Sequence, residues 1–238
     1  MSLIASIPAE WKTKIKNENN RIELNKTLLF KLKKSKQKNK LLYNFQFNAN
    51  ENLIIPSRVK WTEEFENTNL EWNIIFNSNI SSTLDVKLRN FQYKYILRIT
   101  TTNKRLFKQN IVNCNLCDFC SMYIESLKHL FWECNHIQIF WNRLDQFLKS
   151  CNIFINLNFQ TISFGVSDYS LTDNNMYNFI LFQAKYFIFI NKCHKTIPSC
   201  EHFKRYLSSK IEIEKQISLM NDQLQKYERK WRQFIIYL

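Results

Sequence analysis

One glycine, Gly165, stands in the whole 238-residue chain, and this scarcity limits the fold more than any other feature. Two-residue hairpin turns need backbone at positive φ, which glycine supplies without steric cost. A chain with a single glycine and three prolines is poorly equipped to close many tight hairpins. A helical fold is predicted, ahead of a many-stranded sandwich or barrel. The same scarcity removes function classes. Neither a GxGxxG dinucleotide turn nor a phosphate-cradling glycine loop can be written with one glycine.

A helical chain still needs a core, and 45% apolar with 15% aromatic residues provides one. The length suits one large or two small domains. Residues 1–55 form a polar, basic segment that includes KLKKSKQKNK at 31–40, either a solvated helix face or connector, or a phosphate-tracking arm. Residues 56–150 read as a helical region holding a cysteine cluster, and 151–238 as a C-terminal helical region. The start, MSLIASIPAEWKTKIK, lacks an apolar run of signal-peptide length. The most apolar stretch, Met176 to Ile190, is interrupted by Asn178, Gln183 and Lys185 and is too short to span a bilayer. An intracellular protein of nucleus or cytoplasm is expected, neither secreted nor membrane-bound. In a reducing compartment clustered cysteines read as metal ligands before disulfides.

The net charge of +14 and the pI near 9.5 point to a polyanionic partner, nucleic acid first, although AT-biased coding also enriches lysine. The charge is concentrated locally. Between residues 86 and 108 stand Lys87, Arg89, Lys94, Arg98, Lys104, Arg105 and Lys108, with no carboxylate. These are the candidate nucleic-acid contacts, made to the phosphate backbone of RNA or DNA. Thr83 is the expected helix N-cap, with Asp85 in the first turn, and Leu84, Leu88, Phe91 and Tyr95 form the apolar stripe. Pro56 is expected to break regular structure, and 59–76 to form one or two short amphipathic helices. A new apolar period begins at Ile137, and residues 137–150 read as a helix with Phe140, Trp141, Leu144, Phe147 and Leu148 inward. The tail repeats Ile213, Ile217, Met220, Leu224, Tyr227, Trp231 and Phe234 at 4-3 spacing, a seam that packs on its own domain or, as a weaker alternative, joins two copies.

The cluster CNLCDFCSMYIESLKHLFWEC, residues 114–134, holds four of the seven cysteines and the first histidine. A closed structural zinc site takes four Cys or His ligands. Cys117, Cys120, His129 and Cys134 supply them as C-x2-C-x8-H-x4-C. Cys114 with Cys117 makes an overlapping pair, and His136 is an alternative to Cys134. On a straight α-helix, residues 129 and 134 point about 140° apart. Both reach one ion only if the helix ends near Glu133 and the chain turns, as Asn135 permits. A second group, Cys193, His194, Cys200 and His202, has no common metal spacing. No nucleophile–base pair can be read from spacing.

The pattern of Cys117, Cys120, Glu125 with Ser126, His129-Leu130-Phe131, Cys134 and Trp141 resembles the zinc-binding module C-terminal to the reverse transcriptase of LINE-type (non-LTR) retrotransposons. Residues 1–20, 54–76, the helix before the cluster and the tail around ISLMNDQLQKYERKW are similar to the same region more weakly. Cys114 departs from the pattern. The resemblance implies a zinc-bearing, non-catalytic appendage that helps a polymerase hold RNA or DNA. The six aspartates of this chain include no adjacent pair, so the metal-holding carboxylates of a polymerase site are not written here. The predicted architecture is mainly α: an irregular helical bundle with a small CCHC zinc-knuckle-like insertion and a long C-terminal helix. A structural or partner-binding remnant, with zinc as a fold staple only, is the alternative.

Overall fold

A computed structural model describes residues 55–66, 70–166, 174–232 and 234. The basic run at 31–40 and the similarity at 1–20 lie outside the described residues. The described chain is helical: α1 Pro56–Glu64, α2 Trp72–Ser81, α3 Val86–Ile96, α4 Asn103–Lys108, a π-helical turn His129–Glu133, then α5 Asn135–Ser150, α6 Phe159–Phe164, α7 Asn174–Cys193, α8 Cys200–Met220 and α9 Leu224–Trp231. Pairing of extended backbone among the described residues is confined to one antiparallel bridge, Leu116 with Ile124.

Helix α7 is the axis of the bundle and packs on α2, α3, α6, α8 and α9. It is apolar on nearly all sides, as a helix surrounded by others must be. Its three polar interruptions each find a partner inside the protein, although the Gln183 Nε2 donor is left without one. The Asn178 amide accepts from Val166 N at 2.6 Å and donates to Val166 O at 3.1 Å. Gln183 Oε1 accepts from the Tyr206 hydroxyl at 3.0 Å. Lys185 Nζ donates to the Ser163 carbonyl at 2.8 Å, and complete burial pushes its pKa well below the ordinary lysine range. Among the described residues no helix is long and apolar enough to cross a membrane.

Pro56 opens α1 instead of breaking structure. Proline at a first helical position surrenders an N–H that has no intrahelical partner anyway. This start carries Trp61 into a fully buried ring cluster with Tyr95, Phe159 and Phe164. The cap of α3 is Asp85, whose carboxylate accepts from Lys87 N and Leu88 N, while Thr83 Oγ1 accepts from Asp85 N one step upstream. A carboxylate at the positive helix end is the stronger cap, and this places Leu84 outside the helix and half exposed. Leu88, Phe91 and Tyr95 form the buried stripe.

The 4-3 repeat of the tail does not follow one helix. It breaks at Asn221–Gln223, where Asp222 takes φ 53. The break lets α9 turn inward, so Trp231 stacks edge-on against Phe179 at 5.2 Å, while Ile213 and Met220 on α8 stay exposed.

With almost no glycine, the helices close on ordinary residues. Glu66, Arg98, Asn110, Asn152, Lys195 and Asp222 all take the left-handed conformation just past a helix end. Behind five of them the next N–H reaches back five residues, as Ile99 does to Lys94 O at 2.9 Å and Thr196 to Asn191 O at 2.9 Å. The one glycine is kept where nothing else fits. Gly165 ends α6 at φ 89, ψ 177, and a Cβ there would lie 2.4 Å from Asn178 Oδ1.

Candidate metal centre

The cluster is built from two tight local structures. In the first, Cys117 N donates to Tyr123 O at 2.8 Å and Ser121 N to Cys117 O at 2.8 Å, with Ser121 at φ 54. This folds the C-x2-C element into a knuckle and turns both sulfurs inward. In the second, Ser126 Oγ accepts from His129 N at 2.9 Å and starts the π-helical turn. Cys134 N then donates to His129 O at 3.0 Å, a five-residue step. That wider step stacks residue 134 over residue 129, where an α-helix would stack residue 133. The helix ends at Glu133 and the chain turns, as expected, but the five-residue spacing is met by widening the last turn, and the turn does not fall on Asn135. Asn135 instead opens α5, and the corner falls on Cys134, at φ −63 and ψ 131.

Cys117, Cys120, His129 and Cys134 come together, their ligand atoms all within 4.8 Å of one another. The Cys117 and Cys134 sulfurs are 4.0 Å apart, and Cys120 Sγ is 3.4 Å from His129 Nε2. A tetrahedral ion with metal–sulfur bonds of about 2.3 Å separates its sulfurs by about 3.8 Å. The donor set and its spacing fit such an ion. Exposed Cys114, whose sulfur accepts from Leu116 N at 3.4 Å, stands outside the set, as do His136 and the 193–202 group.

The electrostatics favour a cation. Sharing a proton with Cys134, together with burial, pushes the Cys117 thiol well up, while accepting from Cys117 draws Cys134 down. Two buried neighbouring thiols resist losing both protons unless a positive ion replaces them. Burial pushes the His129 imidazole below its ordinary value and keeps it neutral, the form in which a ring nitrogen binds metal.

Beneath the knuckle lies a network that the sequence indicates only in part. Glu125, fully buried, accepts from Asn103 N at 2.8 Å and from Asp118 N at 3.2 Å. Lys192 of α7 approaches Glu125 Oε1 to 3.5 Å and Asp118 to 3.7 Å, and donates to Asn103 Oδ1 at 3.0 Å. Burial raises the Glu125 pKa, and the two N–H groups and Lys192 oppose that shift. The knuckle is thus fastened to the start of α4 and to the end of α7. Nothing in the sequence marks Lys192 as a partner of Glu125, which stands 67 residues before it.

The seven cations of 86–108 divide by role. Arg89 donates from Nε to Thr83 O at 2.6 Å and from Nη2 to Ile80 O at 2.7 Å, closing the end of α2. Arg98 pairs with Glu64 and lies over the Trp61 ring at 4.2 Å. Arg105 Nη1 donates to Arg98 O at 3.1 Å. Lys87, Lys94, Lys104 and Lys108 are exposed. The arginines hold the scaffold, and the lysines are left to solvent.

Residues 55–141 match a family model described as zinc-binding in reverse transcriptase. The match takes in all four residues of the Cys/His cluster and all seven cations and ends before α6. Curated proteins give no match to the chain.

Proposed function

We propose that the chain is a zinc-stapled, non-catalytic nucleic-acid-binding module of the kind that accompanies LINE-type (non-LTR) reverse transcriptases. The observation that carries this reading is the Cys3His set at tetrahedral spacing within the matched segment. Zinc is the ion that such a thiolate-rich, closed, four-donor set suits. It would be held by Cys117, Cys120, His129 and Cys134, and bound there it would act as a staple with no open position for a substrate.

The exposed lysines of α3 and α4 support binding to phosphates, since Lys87, Lys94, Lys104 and Lys108 carry a field with few nearby carboxylates. Binding of this kind depends on salt and shows little base preference. The test combines metal analysis with a filter-binding titration in rising salt. Purified wild type is expected to carry one zinc per chain, with His129→Ala and Cys134→Ser carrying none. Neutralising the four lysines should flatten the dependence of log affinity on log salt by roughly 0.7–0.9 for each phosphate left without its cation. A protein that binds neither RNA nor DNA at low salt overturns the reading.

A second reading, self-association through the tail, is favoured by the exposed Ile213, Leu219 and Met220 on α8. Sedimentation of wild type beside Ile213→Lys tests it, with a monomer in both samples removing it.

A further inference from the structure

The metal centre leaves unused a pocket of about 390 Å3 lined by residues of α3, the turn after it, α4 and α7. Its size falls within the range of about 300–1,000 Å3 typical of small-ligand sites. Lys87 and Lys94 of α3 and Arg105 of α4 line it. The bond from Arg105 Nη1 to Arg98 O fixes the guanidinium and leaves its other N–H donors for a ligand. Thr100 also lines the pocket; its side chain is buried, and its hydroxyl has no hydrogen-bond partner. Tyr186 and Phe189 of α7 form the apolar side, their rings 5.1 and 5.2 Å from that of Phe91. No carboxylate stands among the described residues that line it.

Three cations from two helices, an unpartnered hydroxyl and a group of aromatic rings meet in one place. The cations and hydroxyl suit a phosphate, and the rings suit a base. We propose that this pocket holds one unpaired nucleotide of a bound single strand, its phosphate on Lys87, Lys94, Arg105 and Thr100 and its base against Tyr186 and Phe189. A base stacked inside a duplex has its faces covered and cannot use the rings.

The proposal rests on the nucleic-acid reading above, and one experiment separates their failures. Fluorescence anisotropy of the full chain would use a labelled oligouridylate of about ten nucleotides and a duplex of equal length. Thr100→Val and Tyr186→Leu leave the charge unchanged. Each is expected to weaken single-strand binding about tenfold with little change in salt slope or duplex affinity. Lys87→Gln with Lys94→Gln should also lower the salt slope. Lys104→Gln with Lys108→Gln should weaken strand and duplex alike. Wild type that binds neither probe removes both readings. Wild type that binds the strand, with Thr100→Val and Tyr186→Leu indistinguishable from it, overturns the pocket alone. Thr100→Val, close in shape to the original, keeps the test decisive if Tyr186→Leu melts early.

Discussion

With its side chain fully buried, Glu125 accepts from two backbone N–H groups and faces the Lys192 ammonium. Truncation to alanine would strand both N–H groups and leave the Lys192 charge with only Asp118, at 3.7 Å, to oppose it. The expected destabilisation for Glu125→Ala is about 3–5 kcal/mol, measured by chemical denaturation, with a smaller effect for Glu125→Gln. Gly165→Ala should be similarly severe, at about 3 kcal/mol or more, because its backbone region is nearly exclusive to glycine and the new Cβ meets the Asn178 amide. The Cys/His cluster carries a pH signature. An unfolded imidazole takes up a proton near its ordinary value of about 6.5, whereas His129 in the folded, metal-free protein does so only at lower pH. The unfolded state then binds more protons, so stability falls as pH drops below that value. Zinc binding must displace thiol protons and should weaken in the same direction, a trend that titrations against a chromogenic chelator would follow. At this scale the Cys/His cluster was legible because its members stand close in sequence, although spacing alone left Cys114 and His136 open beside Cys117, Cys120, His129 and Cys134, the four that come together. Lys192 was not, because its partners lie far from it in sequence.

Helix type and helix ends were legible only in part. Apolar periodicity predicted α3, α5 and α7, and the near absence of glycine predicted a helical architecture. The π-helical turn was hidden, since a five-residue ligand spacing does not say whether the helix stops or widens. The N-cap of α3 moved from Thr83 to Asp85 because two plausible caps stand two residues apart, and the carboxylate makes the bonds to Lys87 N and Leu88 N. The break at Asp222 was hidden by a 4-3 spacing that continues across it. Closure of helices on non-glycine residues is itself testable. Lys195 is exposed and takes φ 54 after α7. Lys195→Gly should stabilise the protein by up to about 1 kcal/mol by relieving left-handed strain at a helix end, seen as a rise in Tm.

Across the whole molecule, the core is shared between parts that sequence comparison treats separately. Trp61 and Tyr95 lie within the matched residues 55–141, but their neighbours Phe159, Phe164 and Lys185 do not. Helix α7, against which most of the bundle packs, lies wholly outside the match. A fragment of residues 55–141 is therefore expected to remain largely unfolded even with excess zinc, with weak far-ultraviolet helicity and no cooperative melt, while residues 55–238 fold.

The joint between Glu125 and Lys192 gives this boundary its meaning. The stretch that travels between proteins as a recognisable signature is here one half of a mortise, and its tenon is carved on a helix that similarity does not reach. Any graft of the knuckle onto another scaffold must bring a cation to that same spot, or the transplanted acid will be buried with nothing to balance its charge.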